Sequence, residues 1–121
     1  MAGLAVAGLL ALMFLSGCGD DEPASAVQSF EGRDGAALYG QACAECHGVA
    51  LEGTDQGPPF LDQIYAPGHH ADAAFFLAAK TGTRAHHWNF GDMPPVEGLS
   101  DEQLEAIVAF VRTEQAAAGI E

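Results

Sequence analysis

Cys43-Ala44-Glu45-Cys46-His47 constrains this chain more than any other stretch. Residues three apart on a helical turn share a face. The two thiols can therefore reach the two vinyl groups of one porphyrin, and the order reads as covalent haem c attachment. His47, four after Cys43, can ligate the iron of a ring held that way. Two other chemistries use paired cysteines. Zinc wants a second Cys/His pair at comparable spacing, and the only other cysteine is Cys18. A thioredoxin-type dithiol follows a strand in a βαβ pattern, and none precedes Cys43.

Residues 1–15 are apolar and uncharged, and Ser16-Gly17-Cys18 follows. This resembles the signal sequence of a bacterial lipoprotein, with Leu15-Ser16-Gly17-Cys18 as its lipobox. The resemblance implies cleavage before Cys18 and a lipid on its sulfur. The pattern departs in one respect: the first basic residue is Arg33, so the usual charged n-region is missing. An uncleaved signal anchor is the other reading, although the uncharged run ends at Gly19, near the short limit of about 17–25 residues for a spanning helix. Both readings place the domain outside the cytoplasm, on the periplasmic side and tethered to a membrane. The expected organisation is a signal peptide at 1–17, a lipidated cysteine and flexible acidic tether at 18–33, and one domain at 34–121.

A domain of that size has a marginal core without a staple, which a buried macrocycle with two thioether bonds would supply. Seventeen Asp and Glu against four Lys and Arg give a net charge of −13. That argues against nucleic acid and against docking on anionic lipid by charge. It suits redox partner proteins that carry a basic docking patch.

The domain reads as all-α. Asp34 is a plausible cap for a helix running to about Cys46, with Leu38, Ala42 and Cys46 on one face and Tyr39 and Cys43 beside them. Gly48 suits its stop. A loop rich in Gly and Pro runs from Val49 to Pro67. A second helix is expected over Ala71–Ala79, with Asp72 in its first turn, Lys80 in its last, Gly82 beyond, and an apolar stripe of Ala73, Phe76 and Leu77. Residues 81–99 form a loop dense in aromatic and imidazole groups. Ser100 and Gln103 make a capping box for a last helix with Leu104, Ile107, Val108 and Val111 at i, i+3, i+4, i+7. That helix is expected to fray from Gln115 to Gly119.

Six-coordinate iron needs a ligand opposite His47. Of three methionines, two fall in the apolar N-terminus, leaving Met93. Pro94 biases Met93 away from helical angles, which suits a side chain aimed from an extended loop. A gap-filling core methionine is the other reading.

Gly35, Leu38-Tyr39, Cys43-x-x-Cys46-His47-Gly48, Gly57-Pro58, Met93-Pro94 and the terminal helix with Ile107 and Phe110 together resemble the class I c-type cytochromes, over roughly residues 34–113. The resemblance implies a small fold of three main helices and long loops wrapped around one covalent haem. It implies that Gly35 and Tyr39 meet Ile107 and Phe110 where the first and last helices cross. It also implies that the Pro58 carbonyl accepts the ring N–H of His47, although Pro58-Pro59 also serves as a plain loop stiffener. Trp88 either donates its indole N–H to a haem propionate or packs in the core. Asp92 stands where a neutral neighbour of the methionine is usual, and an acidic group there would lower the potential.

His69, His70, His86 and His87 exceed what the family needs. Two adjacent pairs invite a copper or zinc site. Adjacent histidines usually diverge, however, and no carboxylate partner is in view. The expectation is surface and loop histidines without a metal, one of them bonded to a propionate, while a histidine in place of Met93 would be a rival ligand and give bis-His iron of lower potential.

These features point first to a one-electron carrier with His47/Met93 ligation and no enzymatic activity. A gas sensor or peroxidase-like module with a displaceable Met93, and a His-rich metal-binding accessory protein, are the alternatives.

Overall fold

A computed structural model describes residues 29–121. The predicted signal segment 1–17, Cys18 and most of the predicted tether lie outside the described residues. Among the described residues no helix is long and apolar enough to cross a membrane.

The described residues form four α-helices, α1 (Gly35–Ala42), α2 (Ala44–His47), α3 (Asp72–Thr81) and α4 (Asp101–Ala117), with one 3-10 turn at Gln63–Tyr65. No strand forms among the described residues, only an isolated bridge between Thr83 and Met93. The all-α expectation holds.

Asp34 caps α1 as expected, its side chain accepting from the Ala37 N–H at 2.8 Å. The helix does not run unbroken to Cys46. Cys43 leaves helical angles at φ −126°, ψ −35°, and α2 adds one more turn before Gly48 stops it at φ 82°. The Cys43 N–H still reaches Tyr39 O at 2.9 Å, and the His47 N–H reaches Cys43 O at 3.0 Å. The chain therefore steps sideways at Cys43, where the Cys46 N–H turns to Cys43 O at 3.2 Å instead of reaching back into α1.

α1 crosses α4 at Gly35. A Cβ there would lie 2.1 Å from the Ala106 carbonyl oxygen and 3.0 Å from Phe110 Cβ. The nearest approach at Gly35 is thus to the Ala106 backbone and Phe110. Tyr39 lies against Phe110, ring centroids 5.5 Å apart, and Leu38, Tyr39, Leu104, Ile107 and Val111 share the core. The Tyr39 hydroxyl donates to Gly48 O at 2.7 Å, which ties α1 to the end of α2.

α3 starts one residue later and ends two residues later than expected, and its buried face differs. Phe75, Phe76 and Ala79 pack on the core, Ala73 is exposed, and Leu77 is 63% exposed. Leu77 belongs to the wall of the cleft described below.

Two further expectations are corrected. The end of the predicted tether belongs to the folded unit: Phe30 packs against the core, and Gln103 Nε2 donates to Phe30 O at 2.9 Å and Gly32 O at 3.1 Å. Nor does α4 fray at Gln115, which is 0% exposed, while Ile120 beyond it is 5% exposed. Gln115 Nε2 donates to Phe60 O at 2.8 Å, so the last turn is fastened to the loop after α2.

Candidate cofactor cleft

The cleft is built first from the turn that holds Cys43, Cys46 and His47. The two half-buried thiols line one wall. Thr54 Oγ1 donates to Cys46 O at 2.7 Å. Gly57 passes so close that a Cβ on it would lie 2.7 Å from the same oxygen. That close approach brings Pro58 beside His47. Because a carbonyl only accepts, the 2.9 Å contact is His47 Nδ1–H donating to Pro58 O. The lone pair is left on Nε2.

His47 is buried and its ring stacks on Phe60, centroids 4.1 Å apart and planes 18° from parallel. Burial lowers its pKa below the usual histidine value, against the raising effect of the Pro58 hydrogen bond. The ring is thus held neutral, as a metal ligand must be. Burial, and secondarily the neighbouring Cys46, push the Cys43 thiol up to about 12.

The opposite wall comes from the loop after α3. Gly82 ends α3 at φ 73°, and a Cβ there would lie 2.6 Å from Met93 O. Thr83 and Met93 then exchange two main-chain hydrogen bonds, N–H to O at 3.0 and 2.9 Å. This holds Met93 half-buried on the cleft wall. Asp92 is exposed and spends its Oδ1 on the Ala85 N–H at 3.0 Å, so it clasps its own loop. Trp88 also lines the cleft, its ring 5.7 Å from Tyr65 and 10° from parallel.

The adjacent histidines do not diverge as expected: ring centroids lie 4.8 Å apart for His69 and His70 and 4.4 Å apart for His86 and His87, and the two pairs face each other. His69 Nε2 lies 3.3 Å from His87 Nε2, and His70 Nε2 lies 3.5 Å from His86 Nε2. His70, His86 and His87 reach the rim of the cleft.

Three supporting residues escaped the sequence reading as site residues. Phe60 supplies the face on which His47 rests. Gln115 holds the Phe60 carbonyl. Arg112 donates to Asp72 Oδ1 at 2.7 Å, to Tyr65 O at 2.8 Å and to His70 O, and lies 4.9 Å over the Phe75 ring. Only the helical period of α4 hinted at Arg112 and Gln115, and it gave no reason to bury either one.

The whole cleft has a volume of about 820 Å³, within the range of about 300–1,000 Å³ for small-molecule and cofactor sites. Phe75 and Leu77 of α3 and Leu104, Ile107 and Val108 of α4 make its apolar lining. Two thiols, a neutral imidazole with a free Nε2 and one thioether border the same apolar space. That donor set fits a covalently held haem: thioether bonds to carbon, and nitrogen and sulfur for iron.

The family model described as Cytochrome c matches residues 32–115. No curated protein and no solved structure matches the chain significantly.

Proposed function

The chain belongs to the cytochrome c family, and from that premise we propose that it is a membrane-tethered, extracytoplasmic one-electron carrier with His47 and Met93 as its iron ligands. The family's covalent haem c supplies, when bound, a one-electron iron couple whose potential depends on ligands, burial and nearby charge. Cys43 and Cys46 hold it through thioether bonds. His47 offers Nε2 while Pro58 O keeps the other nitrogen protonated and the ring oriented. Met93 offers sulfur from a loop closed by Thr83. The apolar walls exclude water, and no side chain has to move a proton for an electron to pass.

The observation that carries this reading is the placement of His47 and Met93 on one apolar cleft, with the His47 tautomer set by Pro58. Tethering rests on the lipobox-like Leu15-Ser16-Gly17-Cys18, which would raise the effective concentration near membrane complexes. The net charge of −13 favours basic docking partners, so electron delivery should slow as salt is added.

His86 and His87 at the cleft rim give the sensor or peroxidase-like alternative its one structural support. An absorption spectrum separates the readings. With the chain matured in cells that attach haem, the carrier predicts a sulfur-to-iron charge-transfer band in the oxidised form, lost in Met93→Ala. It also predicts no spectral change when carbon monoxide meets the reduced form. Ready carbon monoxide binding by the unsubstituted protein would reject the carrier with firm Met93 ligation.

A further inference from the structure

Four imidazoles from two distant stretches gather, three of them at the mouth of the cleft, and the carrier function above uses none of them. His69 and His70 precede α3; His86 and His87 sit in the loop that leads to Met93. The ligating atoms of His69, His70 and His87 all lie within 4.8 Å of one another. His86 joins through His70, with Nε2 atoms 3.5 Å apart.

Tautomers decide what such a cluster can hold. His70 Nδ1–H donates to Ile64 O at 2.6 Å, and His86 Nδ1–H donates to Arg84 O at 2.7 Å. Carbonyls only accept, so in the neutral rings both Nε2 atoms carry lone pairs. Their 3.5 Å approach therefore sets lone pair against lone pair, which a shared cation would relieve. A proton bridges only one pair of nitrogens, whereas a metal ion accepts from all four. An N–H anchored on a backbone carbonyl, with the other nitrogen free, is also the arrangement that metal-bound histidines show.

The spacing agrees. With zinc–nitrogen bonds of about 2.0–2.1 Å, two ligands of a tetrahedral ion lie about 3.3 Å apart. The observed pairs lie 3.3 Å (His69–His87) and 3.5 Å (His70–His86) apart. One half of the cluster is firmly based, since Arg112 donates to the His70 carbonyl. The other half sits on a loop clasped by Asp92 and Ala85.

We propose that His69, His70, His86 and His87 form a second metal site, which takes one borderline divalent cation, zinc or copper, at the mouth of the cofactor cleft. Imidazole suits both ions. A bound dication would pin the loop that carries Met93 to the segment before α3. Its charge beside the cleft would favour the reduced state of the cofactor. The site is independent of the electron-carrier reading, because it is built from other residues.

The test uses haem-loaded protein stripped with a chelator, titrated with Zn²⁺ and separately with Cu²⁺ against a chromophoric competitor. One equivalent is expected to bind, and the double variant His86→Gln/His87→Gln should weaken it by at least about tenfold, the amount that even outer partners of a metal are worth. An unchanged haem spectrum certifies that variant as folded, and His69→Gln provides a milder second case. Tighter retention of Zn²⁺ assigns zinc as the occupant. Tighter retention of Cu²⁺, with nitrogen hyperfine structure in its electron paramagnetic resonance spectrum, assigns copper. No stoichiometric binding, or binding equally strong in both variants, as diffuse capture by the acidic surface would give, overturns the proposal.

Discussion

Thr83 and Met93 face each other through paired main-chain hydrogen bonds of 3.0 and 2.9 Å, so the loop that presents the thioether is closed at its neck. The intervening Arg84–Asp92 segment hangs from that neck and carries His86, His87 and Trp88. Thr83→Pro removes the N–H that Met93 O accepts. One such bond is worth about 0.5–1.5 kcal/mol. The sulfur-to-iron charge-transfer band of the oxidised protein is expected to vanish at lower temperature than in the unsubstituted protein, while Thr83→Val keeps it. An identical melting of the band in both variants would show that the bridge does not hold Met93.

Gly35 sits where two helix backbones touch. Its Cβ would meet the Ala106 carbonyl oxygen at 2.1 Å, and neither partner is a flexible side chain. Gly35→Ala must push α1 from α4, an overpacking that costs about 1–3 kcal/mol. Urea unfolding should show a lower midpoint for Gly35→Ala. Gly40→Ala is the control, since nothing lies within 4 Å of its added Cβ.

What the sequence made legible and what it did not divide along physical lines. The CxxCH turn, the Ser100 capping box and the 3.6-residue period of α4 are local, and all three appear where their spacing places them. The break at Cys43 and the buried face of α3 depend on what lies opposite. Leu77 reads as core by period, yet it faces the cleft, because the apolar partner there is not part of the chain. The convergence of the histidines depends on two loops meeting, which no local spacing reports. Gln115 and Arg112 are polar residues in a terminal stretch, and only the positions of the Phe60, Tyr65 and His70 carbonyls explain why Gln115 is buried and Arg112 half-buried.

Gln115 therefore makes a sharp test of a residue that composition would place at a fraying end. Its Nε2 donates to Phe60 O, and its Oε1 accepts from Arg112 at 2.6 Å. Gln115→Leu keeps the volume roughly but leaves the Phe60 carbonyl without this donor, a cost of about 1–3 kcal/mol. Because Phe60 is the ring on which His47 rests, the loss should appear both in the urea midpoint and as faster amide exchange around Phe60. A midpoint within error of the unsubstituted protein would mean the last turn of α4 contributes nothing.

Alkaline pH gives the last prediction, and its sign follows from burial. Desolvation, and secondarily the charge of Asp62, push Tyr65 up to about 12. Burial raises Tyr39 further still. The chain has only these two tyrosines, so the folded protein should show no phenolate absorbance at the ordinary value of about 10. In the unfolded chain both hydroxyls ionise near that ordinary value. Between there and about 12 the unfolded state thus binds fewer protons than the folded state, and stability falls as pH rises. Below about 10 the contribution is present in full. Urea unfolding of the haem-loaded protein across this window is expected to show the decline. Tyr65→Phe should flatten the part below about 12 and leave the share of Tyr39. A decline of equal steepness in Tyr65→Phe would remove Tyr65 as its source.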